Sequence, residues 1–338
     1  MQQEHRLIFP EGYDAKLNIR QTEEAIKLIK DRFERELAAA LNLHRISAPL
    51  FVRPDSGLND NLNGVERPVQ FDIKDTGEDI EIIHSLAKWK RMALRRYGYG
   101  VDEGIYTDMN AIRRDEDLDN LHSIYVDQWD WELTISREER TMDFLKDIVG
   151  RIYGALLRTE DAVMAAYPCL DRYVPEKLHF MTTQELEDRY PRLTAKERED
   201  AVTKELGAVF LMQIGGALKS GEKHDGRAPD YDDWSLNGDI LVYYPVLERA
   251  MELSSMGIRV DEEAMRRQLE LSGCLERSEL RFHKELLEGK LPLTAGGGIG
   301  QSRLCMMLLG KAHIGEVQAS IWPRAMREQC EQAGIWLL

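Results

Sequence analysis

The chain is poor in the features that mark secreted, zinc-stapled and membrane proteins. It has four cysteines in 338 residues, and Cys169, Cys274, Cys305 and Cys330 form no CxxC pair. Disulfides and a structural zinc site are therefore not expected. No apolar run approaches the length of a membrane span, and the N-terminal segment MQQEHRLIFPEGYDAK has no apolar signal-peptide core. These absences predict a cytoplasmic protein with reduced thiols and no membrane partner.

Positive charge is also scarce. Lysine and arginine number 45 against 60 aspartates and glutamates, which gives a net charge of −15. A nucleic-acid-binding protein normally carries a basic face, so this balance argues against a nucleic-acid partner, although local basic patches survive in acidic proteins. A hydrophobic content of 43% with 31% charged residues is typical of a globular chain.

The order of the predicted elements favours one α+β domain. No repeat, low-complexity tract or long linker divides the chain, so we expect a single domain over 1–338 with a helical insertion at about 136–206. An amphipathic helix is predicted over 21–41, where apolar residues recur at helical spacing. Most predicted strands follow one another without helices between them, which predicts an antiparallel sheet flanked by helices.

The segment VDQWDWE predicts a strand with two chemically different faces. Side chains alternate along a strand, so Trp129 and Trp131 share one face while Gln128, Asp130 and Glu132 share the other. The polar face can be solvated, or it can form the floor of a polar site. The residues alone leave both interpretations open.

Two arginines stand near features that suit phosphate binding. Arg113 comes at a strand end before a charged loop, where a guanidinium can hold a phosphate oxygen, although a charged hairpin tip, with Arg114 beside it, would look the same. Arg303 follows GGGIGQS, which predicts a glycine-rich turn over 296–309 that runs into a final helix. No GK[ST] follows the glycines, so this is not a P-loop.

The segment ELSSMGIRV predicts a third polar strand. Alternation would place Glu252 and Ser254 on one face and Leu253 and Ser255 on the other. Gly257 permits a bulge before Arg259.

An acid pair is the chemistry that magnesium prefers beside a triphosphate. Asp239, in NGDILVYY, and Glu252 could form such a pair. The alternative for Asp239 is a carboxylate that caps a turn.

These segments together resemble a known superfamily. ISAPLF, which contains Pro49, resembles motif 1 of the class II aminoacyl-tRNA synthetases, Arg113 through VDQWDWE resembles motif 2, and GGGIGQSRL resembles motif 3. Within that superfamily, HSLAKWKR, YVDQWDWE, APDYDDW, LNGDILV, ELSSMGIRV and GGGIGQSRL, spread over 45–310, look like the ammonia-dependent asparagine synthetases. The resemblance implies the class II synthetase catalytic fold and ATP-dependent amidation of L-aspartate by ammonia. A β-aspartyl adenylate would form, and AMP and pyrophosphate would be released.

The resemblance also implies roles for residues at the nucleotide. Arg113 would hold the α-phosphate and Arg303 the γ-phosphate end of ATP. Asp239 and Glu252 would bind Mg²⁺, with Ser255 also on the nucleotide side.

Aspartate and ammonia would be bound by a second group of residues. Lys90 and Arg259 resemble the cations that bind a carboxylate of aspartate, and we expect the α-carboxylate because the side chain must react. The other expected aspartate ligands are Ser85, Gln128, Asp130 and Ser254, of which Ser85 and Asp130 are the candidates for the α-amino group. Asp60, in GLNDNLNG, and Gln128 are the candidates for ammonia. An Asx turn is the alternative for Asp60.

Helix 21–41 with the Pro49 strand matches the superfamily's dimer element, so a homodimer is expected. Motif 1 begins near residue 22, which leaves no room for an N-terminal anticodon-binding domain. The start MQQ offers no cysteine nucleophile, so free ammonia is the expected nitrogen source. The alternatives are a truncated aspartyl- or asparaginyl-tRNA synthetase paralogue and an inactive paralogue that binds amino acid only.

Overall fold

The computed structural model describes residues 7–62, 64 and 66–338. The strands are β1 Leu43–Arg45, β2 Phe51–Val52, β3 Gln70–Asp72, β4 Asp79–Ile82, β5 Gly104–Ile112, β6 Tyr125–Thr134, β7 His179–Thr182, β8 Ala208–Met212, β9 Asp232–Tyr244, β10 Arg249–Arg259 and β11 Thr294–Gly300. The helices are α1 Ile19–Leu41, α2 Ala87–Tyr97, α3 Met142–Ala166, α4 Thr183–Arg189, α5 Ala195–Leu206, α6 Glu262–Leu271, α7 Arg281–Leu287, α8 Gln301–Leu308 and α9 Arg324–Gln332.

An eight-stranded sheet organises the molecule, in the order β1-β5-β6-β11-β10-β9-β8-β7. Its central pairs are antiparallel, and the two outermost pairs, β1 with β5 and β7 with β8, are parallel. A three-stranded sheet, β2-β4-β3, stands beside it. The predicted α+β class is confirmed. The sheet is not antiparallel throughout as predicted, because the outermost strand pair at each edge is parallel.

Helix α1 follows the predicted pattern closely. The Asn18 side chain accepts a hydrogen bond from the Gln21 N–H, and the Asn18 N–H donates to the Gln21 side-chain oxygen, which completes a capping box. The apolar residues of the predicted stripe are all buried: Ile26, Ile29, Phe33, Leu37 and Leu41. They pack against α3 and the tryptophan face of β6, where the Phe33 and Trp129 rings are 4.6 Å apart. One face of the sheet is thereby committed to the core.

The segment between β6 and β8 combines helices with a strand. Helix α3 begins at Met142 after the Thr141 cap, six residues later than expected. Thr182 and Thr194 each form a capping box at the start of α4 and α5. The segment predicted as a helical insertion at about 136–206 also contains β7, which adds a parallel strand to the edge of the large sheet.

A helix begins within 296–309 as predicted, but the prediction of a glycine-rich turn before it is wrong. Its glycines form β11, a central strand between β6 and β10, and α8, which follows, is not final because α9 comes later. The register pairs Gly296 with Glu132 and Gly298 with Asp130. A Cβ at Gly296 would lie 2.0 Å from Glu132 Oε2, and one at Gly298 would lie 2.3 Å from Gln128 Oε1. Glycine is needed here because polar side chains of β6 lie across the strand.

The expected alternation along β10 also fails. A register shift between Glu252 and Ser254 places an extra residue against β9. Glu252 pairs with Leu241 and Ser255 with Asp239, two residues apart on β9. Glu252 and Ser255 therefore share a face, and Glu252 and Ser254 do not.

No helix in the described part of the chain is long and apolar enough to cross a membrane. All four cysteines are free thiols; Cys169 is exposed and the others are buried.

Candidate active site

A cavity of about 350 Å³ opens over the polar face of β6, β11 and β10. It lies on the opposite side of the sheet from the core that α1 and α3 cover. Its walls include most of the predicted site residues: Asp60, Ser85, Arg113, Gln128, Asp130, Glu252, Ser254, Ser255, Arg259 and Arg303. Lys90 and Asp239 do not line it. One cavity thus joins residues spread over more than 240 positions of sequence.

Lys90 lies beneath the cavity floor. It projects from α2, is fully buried, and forms an ion pair with Asp130. Its ammonium also donates to the Trp131 carbonyl at 2.7 Å and lies 3.5 Å from Glu132 Oε2. Lys90 is thus occupied by the floor itself, and its charge reaches the cavity through Asp130.

Arg259 is the cation of the floor that lines the cavity. The predicted bulge at Gly257 is confirmed by a register shift between Gly257 and Arg259. The Arg259 guanidinium donates to both Glu132 oxygens, with its Nε 3.0 Å from Oε1 and its terminal nitrogen 2.8 Å from Oε2. It also pairs with Asp232, and Thr294 donates to Glu132 at 2.7 Å. This network holds Arg259 at the cavity wall.

The floor carries more negative than positive charge. Asp130, Glu132 and Asp232 face two cations, Lys90 and Arg259. Burial raises the pKa of the Asp130 and Asp232 carboxyls, whereas Arg259 and Lys90 outweigh burial and lower the pKa of Glu132. Asp130 Oδ2 is buried without a hydrogen-bond partner in the described structure. That oxygen is positioned to accept a hydrogen bond from a cationic ligand group.

Arg113 and Arg303 are two further arginines of the cavity wall. Just beyond β5, the backbone N–H of Arg113 donates to the Ile124 carbonyl at 2.8 Å. The side-chain Nε of Arg113 is buried and has no acceptor among the described residues. Arg303, in the first turn of α8, donates to the Glu252 carbonyl at 3.0 Å. Arg114 is exposed and does not line the cavity. The geometry favours Arg113 over Arg114 as the anion-binding arginine.

The predicted acid pair, Asp239 and Glu252, lies beside a positively charged side chain of the protein, Arg227. Asp239 forms an ion pair with Arg227, and its second oxygen, Oδ1, is buried and unpartnered within the described residues. Burial raises the pKa of Asp239 to about 7 although Arg227 opposes the shift. Burial also acts to raise the pKa of Glu252, but Arg303 and Arg227 hold that pKa below its ordinary value.

The donor chemistry of this pair suits a hard divalent ion. Two carboxylates, one with an orphaned oxygen, match the preference of Mg²⁺ for few protein ligands plus phosphates. In the described part of the chain no group of three or more His, Cys, Asp or Glu side chains forms a metal cluster, so phosphate oxygens and water would have to complete the coordination.

Asp60 forms the predicted Asx turn and also lies at the cavity wall. Its Oδ1 accepts the Leu62 N–H at 2.9 Å, which is the Asx turn, and the residue is buried at the cavity wall. Its carbonyl lies 3.0 Å from His84 Nδ1, just before α2. The turn holds the loop in the conformation that brings this carboxylate to the site.

Several site residues escaped the sequence analysis. Arg227 and Tyr231 enter from the loop between β8 and β9, Asp232 is the first residue of β9, and Ser302 and Gln318 line the cavity beside Arg303. APDYDDW marked the loop as part of the resemblance, but nothing in its pattern showed which residue reaches which partner.

The fold is that of a class II aminoacyl-tRNA synthetase catalytic domain. Asparaginyl-tRNA synthetase from Pyrococcus horikoshii, complexed with asparaginyl-adenylate, matches with a TM-score of 0.65 at 16% identity, covering 90% of this chain and 71% of that chain. The Entamoeba histolytica enzyme, also in complex with asparaginyl-adenylate, matches with a TM-score of 0.65 at 15% identity, covering 89% and 66%.

Sequence comparison narrows the class to one family. The family model for aspartate–ammonia ligase matches residues 20–334. The aspartate–ammonia ligase of Clostridium tetani is 66% identical over 334 residues, covering 98% of each chain. That of Ruminiclostridium cellulolyticum is 65% identical over 333 residues, covering 98% of this chain and 99% of the relative. The chain belongs to the aspartate–ammonia ligase family.

Proposed function

We propose that this chain converts L-aspartate, ATP and ammonia to L-asparagine, AMP and pyrophosphate. The observation that supports it most is the 66% identity to an aspartate–ammonia ligase over nearly the whole chain. A β-carboxylate oxygen would attack the α-phosphorus, and the bond to pyrophosphate would break. Ammonia would then form the C–N bond, the bond to AMP would break, and nitrogen would lose one proton.

Charge development at phosphorus is the step that Arg113 and Arg303 would assist. Preorganised cations stabilise charge as it grows, and they act strongly in a site with little water. The buried, unpartnered Nε of Arg113 supports its assignment to the α-phosphate. Arg303, beside Glu252, would hold the far end of the triphosphate. Mg²⁺ on Asp239 and Glu252 would neutralise phosphate charge, with Ser255 beside Asp239 on the same face.

Aspartate would lie over the charged floor. Its α-ammonium would meet the free Oδ2 of Asp130 and offset the excess negative charge there, with Ser85 at the adjoining wall. Arg259 would bind the α-carboxylate directly. Lys90 is fully buried, so we now assign it to orienting Asp130 and Glu132. Gln128, which lines the same cavity, would contact aspartate and ammonia.

Ser254 fits the aspartate role less well. It borders the cavity, yet its register partners, Ile240 and Ile299, are both core residues. Ser255 is on the polar face instead.

Product identification tests the proposal directly. With aspartate, ATP–Mg²⁺ and ammonium but no tRNA, we expect asparagine and AMP in equal amounts, measured by chromatography. A truncated tRNA-synthetase paralogue would need tRNA to release the amino acid from the enzyme. ADP as the nucleotide product, or dependence on tRNA, would refute the proposal.

We also propose that the protein is a homodimer in the cytoplasm. Leu50 and Phe51, directly after Pro49, are 47% and 46% exposed, as expected of apolar residues that a second copy covers. Light scattering at micromolar concentration is expected to give twice the chain mass, and cell fractionation is expected to place it in the cytoplasm. A monomeric mass would contradict the assembly.

A further inference from the structure

Arg227 is the most unusual of the site residues that sequence reasoning missed. Its terminal nitrogen pairs with Asp239 Oδ2, one of the two carboxylates assigned to the metal. Its Nε is buried and has no acceptor in the part of the chain that the structure describes, and its other terminal nitrogen reaches only the neighbouring Gly226 carbonyl, at 3.2 Å. A buried N–H group without an acceptor points to a missing ligand oxygen.

The chain around Arg227 is fixed on both sides. His224 Nε2 lies 2.9 Å from Oε1 of Glu199 in α5. Asp230 accepts from Lys88 of α2 and from His283 of α7, each at 3.0 Å. These anchors hold the backbone on either side of 225–229, so the long Arg227 side chain can turn without refolding the loop.

We propose that Arg227 is a stand-in cation, which neutralises the metal-binding acids until Mg–ATP arrives and then transfers to the phosphates. A guanidinium and a divalent ion compete for the same carboxylate because like charges repel at short range. When the metal binds Asp239, the displaced guanidinium finds acceptors in the phosphates beyond the α-phosphate, close to Arg303 and Glu252. The buried carboxylate of Asp239 is thereby never left without a counter-charge.

The transfer of Arg227 to the phosphates of ATP rests on the proposed function. Its competition with the metal for Asp239 can be measured without turnover. Nucleotide-free protein titrated with Mn²⁺ and followed by electron paramagnetic resonance reports that competition alone. Arg227→Gln is expected to tighten Mn²⁺ binding at least tenfold, because the competing cation is gone. A second change, Asp239→Asn, is expected to remove this gain.

Two controls separate charge from general perturbation. Arg227→Lys retains a cation and is expected to bind Mn²⁺ within threefold of the natural protein. Arg324→Gln removes an exposed ion pair with Glu328, outside the cavity, and is expected to change nothing. Mn²⁺ affinity of Arg227→Gln within twofold of the natural protein would overturn the proposal.

Arg227→Gln is expected to change nucleotide affinity in the direction opposite to its effect on metal affinity. Arg227→Gln is expected to weaken ATP–Mg²⁺ about tenfold in equilibrium dialysis and to leave AMP within twofold, since AMP lacks the outer phosphates. A damaged fold would weaken both ligands and would not tighten the metal. If the glutamine variant does not fold, Arg227→Lys decides: its shorter ammonium is expected to lose at least fivefold in ATP affinity, and unchanged ATP affinity would overturn the proposal. Loss of amidation with these results intact would count against the proposed function alone.

Discussion

Gly296→Ala is expected to destabilise the protein by about 3 kcal/mol or more and to abolish activity. The new Cβ would lie 2.0 Å from Glu132 Oε2 and 2.5 Å from the Arg259 guanidinium. Glu132 is fully buried, so it cannot yield by turning into solvent. Its contacts with Arg259 and Thr294 must break, and a buried charge left without its partner costs several kcal/mol.

Other glycines of the chain provide the comparison. A Cβ at Gly150, within α3, meets nothing within 4 Å, so Gly150→Ala is expected to be neutral or slightly stabilising. At Gly298 the obstacle is the end of the Gln128 side chain, which can swing away; Gly298→Ala is therefore expected to keep the fold and lose activity. Urea unfolding and asparagine formation are measured on all three variants. A Gly296→Ala protein as stable as Gly150→Ala would show that the floor network tolerates rearrangement.

The same glycines show where sequence reasoning stops. Local preference places consecutive glycines in turns, and the prediction followed it. The reason for glycine in β11 lies in its neighbour β6, whose polar side chains need the space. No local pattern carries that information. Helix α1 was predictable because the apolar residues that recur at helical spacing in its sequence are the same residues that are buried in the fold.

The candidate site was also predictable from the sequence only in part. The resemblance identified residues such as Arg113, Asp130 and Arg259 that do line one cavity. It could not show that Lys90 lies beneath the floor, because burial depth depends on how α2 packs over β6. It could not show Arg227 on Asp239 either, since a loop side chain and a strand side chain twelve positions apart meet only in the folded chain.

Asp60→Asn is expected to separate activation from amidation. Asparagine retains the oxygen that accepts the Leu62 N–H, so the Asx turn and the loop should persist. It loses the negative charge and basicity that ammonia needs, because ammonium has no lone pair until a proton leaves. We therefore expect near-normal aspartate-dependent pyrophosphate exchange and a fall in asparagine synthesis of about a hundredfold or more.

Arg113→Ala is the matched variant for the first half-reaction. It removes the cation proposed to hold the α-phosphate, so exchange and synthesis should fall together, by about 3 kcal/mol or roughly a hundredfold. Both activities are measured on one preparation of each variant, with thermal unfolding as the check on folding. If exchange falls as far as synthesis in Asp60→Asn, the carboxylate serves activation, and Gln128, which lines the same cavity, becomes the candidate for ammonia. If Arg113→Ala retains exchange within about threefold, the α-phosphate is held by another group, because a direct contact with the transferring phosphoryl cannot be lost at so small a cost.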